Sequence, residues 1–261
     1  MNKSLFIFFL ITSTFFDVSG QEKISKQNNS FKLPINYKID GLAAEWNNTF
    51  ANDNKSVGIK YTIANDEEKL YLILKAEDIQ VINKIVSQGI CFNIKNGNKN
   101  VSVFYPVYED GKRPLFLSIK QRKNGDDEQE KLINDSLKKS FNSKLIESLQ
   151  KIGVKGVPEI RDSLISIYNQ DGIRANGKFD HQINYTLEIV IPLNLLNDTK
   201  KFDYMIQLNG VPGKVEILEA AGGNRIVYIR NGVMYGIGMA TPENYALAYP
   251  SNLSGTYILA K

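Results

Sequence analysis

Residues 38–78 read KIDGLAAEWNNTFANDNKSVGIKYTIANDEEKLYLILKAED, and the second half of this stretch decides the fold. Val57, Ile59, Tyr61 and Ile63 alternate with Gly58, Lys60 and Thr62, the period of a strand with one buried face. In residues 70–76, Leu70, Leu72 and Leu74 alternate with Tyr71 and Ile73. A run apolar on both faces is expected at the centre of a sheet. The residues between, Ala64-Asn65-Asp66-Glu67-Glu68, turn a chain more readily than they continue a strand. The two runs are therefore predicted to form a β-hairpin. Upstream, Asp40-Gly41 supplies a tight turn, and Trp46, the only tryptophan, follows it.

Working outward, the same alternation recurs. A first strand is expected over 35–39. Strands at 90–95 and 101–107 face each other across Asn96-Gly97, a strong reversal signal. Further strands are expected at 115–120, 164–168, 183–191, 203–208, 225–230 and 256–259. Pro192 ends the strand at 183–191, because it has no amide to donate, and 193–196 forms one helical turn. Residues 79–87 carry apolar side chains at helical spacing, closed by Gly89. After Asp127 the period changes. Ile133, Leu137, Phe141, Leu145 and Leu149 recur every four residues among Lys, Asp, Asn and Glu, which predicts one amphipathic helix over 128–153. The expected fold class is all-β, a mainly antiparallel sandwich of about ten strands with that helix inserted. A lone helix of this length cannot bury a core by itself, so 35–261 is expected to be a single domain.

The first residues carry an address. Lys3, an apolar run over 5–11, and Val18 and Gly20 before Gln21 have the form of a signal peptide over 1–20, cut near Gly20. Residues 21–34 read as a flexible leader, and the mature chain as secreted or periplasmic. The apolar run is too short for a membrane span. Cys91 is the only cysteine among 261 residues, so no disulfide within the chain is available. The formal charge is +4, but lysines are scattered among acids and do not form the stripe that follows a phosphate backbone, so no nucleic-acid partner is expected.

KIDGLAAEWNN, the acidic turn before Leu70-Tyr71 and YTLEIVIPLNLL at 185–196 together resemble the family 9 carbohydrate-binding-module-like domains of the DOMON-like β-sandwich group. The matching positions are Ile39-Asp40-Gly41, Glu45-Trp46, residues 66–71 and residues 188–193. The resemblance spans 35–261, interrupted by the helix. It implies an exported, non-catalytic sandwich often associated with glycans. Sugar-binding members clamp their ligand between two tryptophan rings. This chain has one tryptophan, placed in the opening motif, so that clamp is missing. Asp40, Trp46, Glu188 and Pro192 are assigned structural roles, Trp46 as a plug over one end of the sandwich.

A sugar platform needs an exposed aromatic face with a polar rim. Tyr105 and Tyr108 flank Pro106, while Tyr228 and Tyr235 stand beside Arg225, Arg230 and several glycines. Tyr105, Tyr108, Arg225, Tyr228 and Tyr235 are therefore the candidate ligand residues. The plainer reading is that these tyrosines close the sandwich edges. Asp40, Glu45, Asp66, Glu67, Glu68, Glu77 and Asp78 lie near hairpin ends; without EF-hand spacing they read as turn formers, not as a structural calcium site. No cofactor is expected. His181 is the single histidine, in a polar turn beside Asp180, and one His with one Cys cannot furnish a zinc site. No pair of carboxylates stands out for glycoside hydrolysis. Cys91 reads as a small residue near the core. The expectation is a secreted, non-catalytic module that binds polysaccharide. One alternative is an envelope module that lost its sugar site and docks a protein partner through the inserted helix. The other is an envelope hydrolase built on two carboxylates.

Overall fold

Strand β1 (Asn52–Asn54) leads into the hairpin of β2 (Ile59–Asn65) and β3 (Lys69–Ala76), whose register pairs Tyr61 with Leu74 and Asn65 with Leu70. A computed structural model describes Gln27 and residues 30–108, 123–196 and 200–260. The expected signal peptide, part of the leader and the strand expected at 115–120 lie outside the described residues. Asp66 closes the hairpin: one carboxylate oxygen accepts from the amides of Glu68 (2.8 Å) and Lys69 (2.7 Å), and the other accepts from the Tyr71 hydroxyl (2.6 Å). With β8 (Arg174–Phe179) and β9 (Tyr185–Pro192), the hairpin makes a five-stranded sheet in the order β1-β2-β3-β9-β8. β3 therefore sits at the centre, as its two apolar faces require.

The second sheet contains β4 (Ile90–Asn96), β5 (Lys99–Val107), β6 (Lys151–Lys155), β7 (Leu164–Ser166), β10 (Lys201–Leu208) and β14 (Ser251–Ile258), in the order β14-β10-β4-β5-β6-β7. Its β4–β5 hairpin turns at Gly97-Asn98, with Asn96 opposite Lys99. The named strands of both sheets pair antiparallel. The inward residues of the two sheets form one hydrophobic cluster running from Ile59, Leu72 and Ile189 to Phe92, Val103 and Ile206. At roughly 1.5–3 kcal/mol for each fully buried aliphatic or Phe side chain, this cluster supplies the cohesion that no disulfide provides.

Two helices cover the flanks. In α1 (Ile79–Gln88) Asp78 caps the start and Gly89 ends it. Gly89 has φ 73°, and a side chain there would strike the Pro106 carbonyl. α2 (Glu128–Ser148), capped by Asp127, sends Phe141 and Leu145 into the core. A third, smaller sheet follows β10: β11 (Lys214–Leu218), β12 (Arg225–Arg230) and β13 (Val233–Met239). α3 (Pro242–Ala248) then returns the chain to β14. Ile226 and Val227 of β12 are buried apart from the main cluster.

Several boundaries differ from those expected. Residues 35–39 form no strand: Asn36 has φ 63° and breaks the extension, leaving Ile35 exposed. α2 stops at Ser148, not at 153, because residues 151–155 pair with β5 as β6, whose Ile152 and Val154 face the core. β9 begins at Tyr185, since Ile183 adopts φ 59° inside a turn closed by Asp180 and Asn184. Fourteen strands occur among the described residues. The surplus over about ten comes from β1, β6 and β8, which the alternation did not mark, and from β11 and β13, which lie in the segment whose glycines suggested loops.

Candidate functional site

Period-two alternation along β5 turns Val101, Val103 and Tyr105 into the core and leaves Phe104 on the outer face of the second sheet. Beneath Phe104 lies Gly153 of β6, where an added Cβ would come within 2.9 Å of the Phe104 Cβ. The missing side chain lets the aromatic ring settle low on the sheet. Lys155, next outward on β6, holds its ammonium 5.3 Å from the centre of the same ring, within cation–π range.

The third sheet faces this surface. Tyr228 and Arg230 of β12, two residues apart and so on one side of their strand, line an open cleft of about 700 Å³ together with Phe104, Tyr108, Lys155 and the segment at Gly210 and Pro212. Tyr108, just past β5, is fixed by its hydroxyl, which donates to the Val86 carbonyl at 2.7 Å. Tyr235 is the direct cross-strand neighbour of Tyr228, and their rings stack at 5.0 Å with planes 17° apart. Tyr235 lies outside the cleft lining, half-exposed. Among the described residues lining the cleft, Lys155 and Arg230 carry charge and there is no Asp or Glu.

The five candidate ligand residues thus separate. Tyr108 and Tyr228 come together in the cleft, and Tyr235 extends the aromatic surface beyond it. Tyr105 does not: it is 3 % exposed, and burial pushes its phenol well above the usual tyrosine range. An inward residue of a strand flanked by neighbours on both sides cannot offer its ring to solvent. Arg225 begins β12 opposite Leu218 and Met239, exposed and outside the cleft. Phe104 and Lys155 were not singled out from the sequence. The alternation that placed Tyr105 inward was a sufficient signal for Phe104, whereas Lys155 depended on finding β6.

Three of the four structural residues, Asp40, Trp46 and Glu188, lie around Tyr37, away from the cleft. Glu188, on β9, is fully buried and accepts hydrogen bonds from the Gly41 amide (2.7 Å) and the Tyr37 hydroxyl (2.8 Å). Burial raises its carboxyl from the usual 4.5 to about 7, and Asp40 and Glu45 push the same way against those two hydrogen bonds. Tyr37 stands edge-on to both Trp46 (6.0 Å) and Tyr71 (5.1 Å). Asp40 accepts from the Leu42 amide at 2.9 Å and so shapes the turn that delivers Gly41 to Glu188. Pro192 pairs with Lys69 at the end of β9.

His181 is exposed, 2.6 Å from an Asp135 oxygen and 3.0 Å from the Lys138 ammonium, both on α2. Among the described residues no group of three or more His, Cys, Asp or Glu is arranged to hold a metal ion. No helix there is long and apolar enough to cross a membrane. No family model, curated protein or solved structure matches the chain.

Proposed function

We propose that the protein is a non-catalytic module that binds polysaccharide in the cleft between β5–β6 and β12. The observation that carries this reading is the meeting of Phe104, Tyr108 and Tyr228, from distant parts of the sequence, on the walls of one open cleft. Flat aromatic rings accept the C–H face of a pyranose, while Ser163, Asn209 and the charged rim supply hydrogen bonds to hydroxyls. An open cleft suits a chain that continues in both directions. A hydrolase of the two-carboxylate kind needs a pair of acids roughly 5–10 Å apart about the scissile bond. The described lining contains no Asp or Glu, which favours binding over hydrolysis.

Affinity electrophoresis of the full chain through gels containing different polysaccharides tests the reading. Retardation by at least one polysaccharide is expected, and Tyr228→Ala should weaken it about tenfold, the loss of one aromatic contact worth roughly 1.4 kcal/mol. Arg225→Ala should leave retardation unchanged, because Arg225 lies outside the cleft. A folded sample that migrates freely through every gel would sink the proposal.

A further inference from the structure

We propose that the outer edge of β8 takes up an extended acidic peptide as an added strand. β8 stands at the end of its sheet and pairs with β9 alone. In an antiparallel pair, alternate residues turn both their amide and their carbonyl away from the partner strand. The phase is fixed at the end of β8, where Asp180 donates to the Asn184 carbonyl (3.0 Å) and Phe179 turns both backbone groups to the Asn142 side chain. Counting back in twos, Gly177 and Ala175 face outward as Phe179 does, and among the described residues nothing takes their outward groups. Asn142 thus seals one end of the edge and leaves the rest unpaired. Ala175 and Gly177 are buried by residue and line a cleft of about 480 Å³ beside the end of α2, with the exposed Ile146 and Tyr168 in the same lining. Backbone groups left unpaired where water has little access are costly, and a strand entering the cleft would satisfy them while covering that apolar surface.

Charge selects the occupant. Arg174 and Lys178 alternate with Ala175 and Gly177, so both project on the other face of β8, and the described lining contains no Asp or Glu. The Arg174 Nη1 donates to the Ile173 carbonyl at 2.9 Å, and neither cation forms an ion pair among the described residues. Other lysines of the chain do: Lys60 with Glu77, Lys75 with Asp180 and Lys138 with Asp135. A second copy of the chain fits poorly. Two-fold antiparallel pairing of β8 about Asn176 sets Arg174 of one copy opposite Lys178 of the other, and like charges directly opposite each other repel. An acidic strand reverses that sign. Its Asp or Glu side chains would flank Arg174 and Lys178, while the residues opposite Ala175 and Gly177 would be apolar, giving a pattern that alternates acid and aliphatic. This cleft shares no lining residue with the one at β12, so the proposal stands apart from the polysaccharide reading.

Fluorescence anisotropy with the full chain provides the test. The probes are a fluorescein-labelled Asp-Val repeat peptide, its Lys-Val counterpart, and two Asp-Val forms N-methylated either on every Val or on every Asp. The Asp-Val peptide should bind at least about tenfold more tightly than the Lys-Val peptide. A strand offers only alternate amides to its neighbour, so one methylated form should lose binding and the other keep it. Ala175→Pro deletes an outward amide without removing a bond to β9, and Lys178→Glu reverses one cation. Each should weaken binding by roughly fivefold or more, Lys178→Glu with an unchanged melting temperature, while Arg225→Glu on β12 leaves binding intact. Equal affinity for the acidic and basic peptides, equal behaviour of the two methylated forms, or no binding by a folded chain would overturn the proposal. So would a dimer in sedimentation equilibrium that Ala175→Pro dissociates, because the edge would then belong to a second copy.

Discussion

The carboxyl of Glu188 holds its proton more tightly in the folded chain than in the unfolded one, because it is fully buried and its two hydrogen bonds only partly offset desolvation. Between the ordinary value of 4.5 and the folded value of about 7 the native state binds more protons than the unfolded state. This group's contribution to stability is therefore most favourable at acidic pH and diminishes as pH rises through that window. Thermal melts of the wild type and Glu188→Gln across the window should show the wild type losing stability with rising pH relative to the variant. Parallel curves would contradict the assignment. Ile183 is held in a turn just ahead of β9. A β-branched residue at φ 59° is unusual, and strain of order 1–3 kcal/mol is tolerated there because the side chain is wholly buried. The hydrophobic alternation through 183–191 is real, but alternation cannot reveal that its first member sits in a turn. Tyr105 was the opposite case. Its inward direction was legible from Val101 and Val103, and reading it as a surface ring ignored that alternation.

Among the elements, α2 shows how an amphipathic pattern is used. Phe141 packs 5.1 Å from Phe179 of β8, ring centre to ring centre, and the neighbouring Asn142 amide both donates to the Phe179 carbonyl (3.0 Å) and accepts from its amide (2.9 Å). β8 is the outer strand of its sheet. Asn142 thus satisfies backbone groups that an edge strand otherwise leaves open to another chain. Phe141→Ala should cost about 3–5 kcal/mol in urea unfolding, the usual penalty for deleting a buried phenyl. That is a large share of a total near 5–15 kcal/mol. Leu132→Ala, on the exposed side of the same helix, should stay within about 0.5 kcal/mol. Similar costs for the two would mean the helix is not seated by its Phe141 face. The helix's existence and apolar stripe were legible in the sequence. Its end was not, because Gly153 reads as a helix stop until β5 is known to offer an edge and Phe104 is known to need the space.

Across the whole molecule, the two large sheets are joined by polar contacts as well as by their apolar core. The Tyr61 hydroxyl on β2 meets the Tyr204 hydroxyl on β10 at 2.9 Å. Asn65 on β2 accepts from the Tyr257 hydroxyl of β14 at 3.0 Å and from the Ala260 amide at 2.7 Å. Removing one hydroxyl of the tyrosine pair takes a hydrogen-bond partner from the other, although the Gln27 amide still donates to Tyr61 at 3.3 Å, at a cost of roughly 0.5–1.5 kcal/mol. Tyr61→Phe and Tyr204→Phe should each destabilise in urea melts, and the double variant should lose clearly less than their sum. Strict additivity would show that the pair is not coupled. By itself the sequence determined the all-β class, the central hairpin, the position of the inserted helix and the inward or outward sense of most strand residues, because these depend on periodicity and turn chemistry within a few residues. Which strands become neighbours beyond the two hairpins, that the glycine-rich segment folds into a third sheet, and that Phe104, Tyr108, Lys155, Tyr228 and Arg230 share one cleft came only with the tertiary structure. Those outcomes depend on pairing between segments far apart in the chain, where the free energy lies in the fit of one surface to another and leaves no local pattern to read.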